Sequence, residues 1–186
     1  MDFLTVLWLP ILLSAVFVFV VSSIIHMVTP FHKGDFKKLP GEDAVLETMR
    51  GQEVNPGEYM FPCAASMKDA GTPEMIEKYN RGPVGFMTVV PNGPVPMTKN
   101  LIVWFLNSIL IGIFAAYLAD LALAPGAEYS KVFQVAGTAA VLGYAVGEIQ
   151  NSIWKGRSWV ITFKFMVDGV IYGLVTAGTF GWLWPA

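Results

Sequence analysis

Four long apolar stretches alternate with polar segments along the chain, at residues 3–28, 101–124, 131–154 and 158–184. Each reaches the roughly 20 residues that a helix needs to cross the apolar core of a bilayer. The pattern predicts an all-α integral membrane protein with four transmembrane helices, a membrane four-helix bundle. Pro10 falls in the first turns of the first span, where a proline disturbs few backbone hydrogen bonds, and Thr29-Pro30 ends that span. Ala124-Pro125-Gly126 breaks the chain after the second span, and Lys155-Gly156-Arg157 makes a tight turn between the third and fourth. A secretory signal fits the first stretch poorly. Its leading charge is Asp2 rather than a basic cluster, its apolar run is too long, and no small-residue cleavage site follows.

The polar segment 29–100 carries Pro40, Pro56, Pro62, Pro73, Pro83, Pro91, Pro94 and Pro96, a spacing that excludes any long helix. It reads as a small Pro-rich α+β segment between the first and second spans. Residues 42–50 suit a helix closed by Gly51. Thr72-Pro73-Glu74 suits the start of another helix running to Asn80, with Thr72 as its cap and Gly82 beyond its end. Residues 58–61 and 85–90 carry the aromatic and β-branched side chains of short strands. So short a segment makes a weak core alone, and it is expected to lean on the membrane helices or on a partner.

Composition agrees: 54% hydrophobic and 14% charged residues exclude a disordered chain and an ordinary soluble fold. The net charge of -2 hides a segregation that sets orientation. Of twelve Lys and Arg residues, ten fall between Lys33 and Lys99 or in the Lys155 to Arg157 turn. Cytoplasmic flanks carry such an excess, so residues 29–100 are expected in the cytoplasm and both termini outside it. The expected location is the bacterial inner (plasma) membrane. Tryptophans prefer the water–lipid interface. On this topology Trp8, Trp182 and Trp184 fall toward the outer face, and Trp104, Trp154 and Trp159 toward the inner.

Ionisable groups within a span cost about 2.5–3.5 kcal/mol each by insertion scales, and three require a reason: Glu148, Lys164 and Asp168. Glu148 lies eight residues before Gly156 and Lys164 eight after it, which predicts an ion pair across the hairpin. Lys164 and Asp168 are also i, i+4 neighbours. Tyr172, Thr176 and Thr179 continue that face, while Tyr144 and Asn107 reach a similar depth from the third and second spans. This intramembrane polar cluster reads either as hydrogen-bonded glue between helices or as an ion path. Small residues let helices approach closely, so Gly143-x-x-x-Gly147 and Gly169-x-x-x-Gly173 mark helix-packing faces, within the chain or toward a second copy or partner subunit. Asp120 is read as interfacial.

Sharper chemistry finds little support at this level. Cys63 is the single cysteine, so no internal disulfide or cysteine-based zinc framework can form. Cys63 and Met67 could share a helical face and bind Cu(I), and His26 could ligate haem, but without a second intramembrane histidine. No catalytic residues, metal site or cofactor are expected. Phosphate-loop, nucleophile-elbow and zincin motifs are absent, and the middle segment's basic residues are matched by acidic ones, which argues against nucleic acid. His32, Lys33, Lys37 and Lys38 could meet anionic lipid headgroups. The expected function is that of a noncatalytic accessory or scaffold subunit in membrane lipid that binds a protein partner or forms a homo-oligomer. The alternative is a small ion, proton or solute transporter or channel using Glu148, Lys164 and Asp168. A membrane enzyme would need carboxylates or His32 gathered in a pocket at the cytoplasmic interface.

Overall fold

The computed structural model describes residues 3–186, so Asp2 lies outside the described residues. Among them are four helices long and apolar enough to cross a membrane, and one two-stranded sheet. These helices suggest a protein embedded in a membrane. The chain divides into two compact units, a helical one up to Asp35 with Pro96–Ser152 and Arg157–Ala186, and a smaller one of Phe36–Val95 and Ile153–Gly156.

The helical unit opens with α1 (Phe3–Val6) and α2 (Trp8–Met27). Pro10 accounts for the interruption at Leu7, because it has no N–H to give the Val6 carbonyl and its ring crowds that carbonyl. The backbone recovers at once, with Leu7 N–H donating to Phe3 O at 2.8 Å and Ile11 N–H to Leu7 O at 3.1 Å.

The smaller unit contains α3 (Glu42–Gly51), β1 (Gly57–Phe61), α4 (Met67–Ala70), α5 (Pro73–Arg81) and β2 (Gly85–Val89). The strands are antiparallel, Tyr59 facing Met87. Thr72 caps α5 by accepting the Met75 N–H at 3.4 Å, Pro73 occupies the first turn, and Gly82 ends the helix at φ 59°. No residue from 36 to 95 is fully buried, as expected for so short a segment. Cys63 lies in irregular chain ahead of α4, so the helical face proposed for Cys63 and Met67 does not form.

The remaining helices are α6 (Met97–Ala122), α7 (Tyr129–Tyr144), α8 (Ile149–Lys155) and α9 (Trp159–Trp182). Residues 131–154, read from the sequence as one span, fall within the apolar helical run Tyr129–Lys155, which carries a 3-10 turn at Val146–Glu148 between α7 and α8. There Glu148 N–H donates to Ala145 O at 3.2 Å, three residues back rather than four.

Cross-contacts define which helix ends meet. Near the termini, the Phe3 and Tyr117 rings lie 5.5 Å apart, and Trp184 Nε1 donates to Ala124 O at 3.1 Å. At the opposite end, Trp104 Nε1 donates to Ser22 Oγ at 2.9 Å and Ser152 Oγ to Thr162 Oγ1 at 2.7 Å. The core sits toward the termini, where Leu7, Ile11, Ala115, Ala116, Val132, Ala136 and Phe180 are buried together.

Small residues let these helices touch backbone to backbone. A Cβ added to Gly169 would stand 2.7 Å from Ala145 Cα, and one added to Gly173 would strike Val141. A Cβ added to Gly143 would lie 3.2 Å from Ile111 Cγ2, whereas one on Gly147 would meet nothing within 4 Å. Three of the four glycines marked in the sequence are therefore used inside the chain. Gly169→Ala should lower stability in detergent by about 1–3 kcal/mol, since backbone cannot yield as a side chain can. Gly147→Ala should stay within about 0.5 kcal/mol of the parent, and paired thermal melts measure both.

Candidate functional site: a buried histidine–carboxylate cluster

The segment after α2 does not run straight out of the helical unit. Thr29 Oγ1 donates to Ile25 O at 2.6 Å, Lys33 N–H to Pro30 O at 3.0 Å and Asp35 N–H to His32 O at 3.2 Å. These tight turns fold His32 and Asp35 back against α9, 136 positions from Asp168 in the case of His32.

His32 lies between two carboxylates. Its Nδ1 is 2.7 Å from Asp35 Oδ2 and its Nε2 is 2.7 Å from Asp168 Oδ2. Lys164 Nζ donates to the other Asp35 oxygen at 2.5 Å. The side chains of Asp35 and Asp168 are only 3% and 2% exposed, so none of this is a solvated surface pair. Lys164 and then His32 hold the Asp35 carboxyl below the usual carboxylate range, against the opposing effect of burial. His26 stacks on His32 with ring centroids 4.3 Å apart, and its Nε2 is 3.7 Å from Asp168 Oδ2. Phe165 packs against both imidazoles.

The tautomer matters here. A neutral imidazole has one N–H, so if it donates to Asp35 its Nε2 lone pair faces a carboxylate oxygen. Only a positive centre between Nε2 and Asp168 relieves that repulsion. Protonation of His32 supplies one, and the ring then donates in both directions. Asp168 Oδ1 and the Tyr172 hydroxyl are buried and have no hydrogen-bond partner among the described residues. Such orphaned groups are costly and call for an explanation.

Beside this cluster lies a cavity of about 670 Å³. Trp104, Tyr144 and Tyr172 form one wall, their rings packed pairwise at 5.6–6.0 Å, and Asn107, Glu148, Asp168 and His26 supply polar atoms. Five of the six residues read from the sequence as a polar cluster thus share one cavity. Lys164 is not among its lining residues, and the expected Glu148–Lys164 pair does not form. Glu148 Oε2 instead accepts from Arg157 Nη1 at 2.7 Å and from Asn151 Nδ2 at 3.2 Å. The equal-depth estimate assumed an unbroken third helix. The 3-10 turn changes the direction in which Glu148 projects, and Arg157 reaches it from the hairpin, its guanidinium 4.2 Å above the Phe165 ring. Lys164 is taken up by Asp35.

His26, His32 and Asp35 were not joined to the cluster by the sequence reading. Their only local signal is spacing, with four ionisable groups, Lys33 included, in ten residues at the end of a span. That spacing suits a water interface equally well.

No family model, curated protein or solved structure matches this chain. The chemistry must therefore be read from the site. Two buried carboxylates with one largely buried imidazole, a second, more exposed imidazole and a partly exposed ammonium can hold or pass a cation.

Lys164→Met leaves the buried Asp35 carboxylate with one partner fewer, whereas Arg157→Met exposes nothing so enclosed, since Glu148 is 30% open. Breaking a buried pair by removing one partner is strongly destabilising. The melting temperature should fall by several degrees for Lys164→Met, and by clearly less for Arg157→Met.

Proposed function

We propose that this is an integral protein of the bacterial inner (plasma) membrane that handles small ions, as a transporter or channel, with Asp168 as its cation-binding carboxylate. In this reading its four spans form a four-helix bundle surrounded by lipid, both termini are extracytoplasmic, and residues 29–100 are cytoplasmic. The observation that carries the reading is the orphaned, buried Asp168 oxygen at the wall of a cavity, continuous through His32 with Asp35. Ionisable side chains at membrane depth are expensive and mark ion or proton paths.

The accessory-subunit reading drew on small-residue faces as surfaces for a protein partner or homo-oligomer. Gly143, Gly169 and Gly173 pack against Ile111, Ala145 and Val141 of the same chain, which takes these faces out of that support, while the lack of a buried core in residues 36–95 still stands for it. Aromatic side chains and Met27, Met97 and Leu101 give the cavity an apolar lining, so water inside it would be confined and the field of a carboxylate little screened.

Purified protein in proteoliposomes should pass at least one of H⁺, Na⁺, K⁺, Mn²⁺ or Zn²⁺ faster than protein-free vesicles do. Asp168→Asn, which removes the charge at constant size, should slow that flux by about tenfold or more. If none of the five ions moves faster than through bare lipid, ion handling is wrong. A flux untouched by Asp168→Asn would acquit this residue and overturn the site assignment.

A further inference from the structure

We infer that His26, His32 and Asp168 form a binding site for a divalent first-row transition-metal ion, with Asp35 as the carboxylate that orients His32. The inference deepens the ion-handling reading, on whose site it rests, by naming the class of cation.

One candidate ligand atom from each of the three side chains can be chosen so that all lie within 4.8 Å of one another. Ligands of a tetrahedral zinc-like ion stand about 3.4 Å apart, given bonds near 2.0–2.2 Å. The separation of 3.7 Å between His26 Nε2 and Asp168 Oδ2 is close to that, and the 2.7 Å between His32 Nε2 and Asp168 Oδ2 must open by less than an ångström. The latter pair is the one with two acceptors face to face when His32 is neutral and carries its proton on Nδ1, toward Asp35. A metal ion between them does what a proton would do and also engages His26.

The support around the ligands matches what a metal-bound histidine requires. A ligating imidazole nearly always gives its other N–H to a carboxylate or carbonyl, which fixes the tautomer and raises its basicity. Asp35 Oδ2 accepts from His32 Nδ1 at 2.7 Å, and Lys164 fixes that carboxylate in turn. Charge also balances in the right sense. Lys164 neutralises Asp35, so Asp168 carries the remaining negative charge beside the two imidazoles.

The orphaned Asp168 Oδ1 is a second, independent sign that this carboxylate is incompletely coordinated. His26 and Asp168 both line the cavity, so coordination positions beyond the three protein ligands open toward it. Three protein ligands with an open position characterise sites that exchange ligands rather than purely structural ones. Two imidazoles with a single carboxylate select Zn²⁺, Fe²⁺, Co²⁺ or Ni²⁺ over Mg²⁺ and Ca²⁺, which take oxygen.

The test uses the full chain in detergent, stripped with a chelator and titrated with Zn²⁺ by equilibrium dialysis and with Co²⁺ by its visible absorption. One ion per chain should bind with Kd at or below about 10 µM, unaffected by millimolar Mg²⁺. His32→Ala and Asp168→Asn should weaken binding by more than about 100-fold, and Asp35→Asn by about 10–100-fold. Glu47→Gln, on an exposed turn of α3, should change nothing. Circular dichroism and elution volume identify any variant that fails to fold, and His26→Ala, at the more exposed ligand, provides a second loss-of-ligand variant. Absence of stoichiometric binding to the parent protein overturns the site, as does full binding by folded His32→Ala or Asp168→Asn. Proton or alkali-ion flux without Zn²⁺ binding removes the metal and leaves the ion-handling reading. Zn²⁺ binding without flux of any ion does the reverse.

Discussion

One imidazole held between two buried carboxylates organises the end of the helical unit away from the termini. His32 touches Asp35 on one side and Asp168 on the other, and each contact explains a neighbour. Asp35 requires Lys164, which is why a lysine can lie within α9 at a tolerable cost. Asp168 is met by His32 Nε2, and a proton or a metal ion between the two makes that contact attractive. The turns at residues 28–35 exist, in energetic terms, to deliver the imidazole to that position.

The helical unit is built in two different ways along its length. Toward the termini, alanine and glycine allow close helix contact and leave a packed core. Toward the histidines, the side chains are large and aromatic, α7 gives way to a 3-10 turn, and a cavity remains. Dispersion can hold the first region without hydrogen bonds between side chains. The second depends on polar contacts whose strength comes from their burial.

Much of the architecture was legible in the residues. The four apolar runs mark the four long helices, because length and hydropathy together leave few alternatives. Thr72, Pro73 and Gly82 announced α5 through local chemistry that tertiary context did not override. The site was legible only in part. Glu148, Asp168, Tyr144, Tyr172 and Asn107 could be grouped by depth, since depth follows from residue count along a helix. Their partners could not. A 3-10 turn shifts direction without altering hydropathy, and the return of His32 onto α9 is a long-range contact with no periodic signature. The sequence reading accordingly paired Lys164 with Glu148 and set the histidines aside as too few for metal chemistry. Two histidines are enough when a distant aspartate joins them.

The contact between Gly169 and Ala145 falls close to the midpoint of α9, one residue from Asp168. Backbone pressed against backbone has little compliance, so the helix pair is pinned there as by a pivot. Breathing of the α7–α9 pair is then a rocking about that point. Asp168 lies one residue from that point and has almost no lever arm, so a tilt of α9 swings the ends of the helix and leaves the carboxylate nearly in place. The carboxylate–imidazole contact is thus set at the still point of the helix, insulated from the sway of its ends.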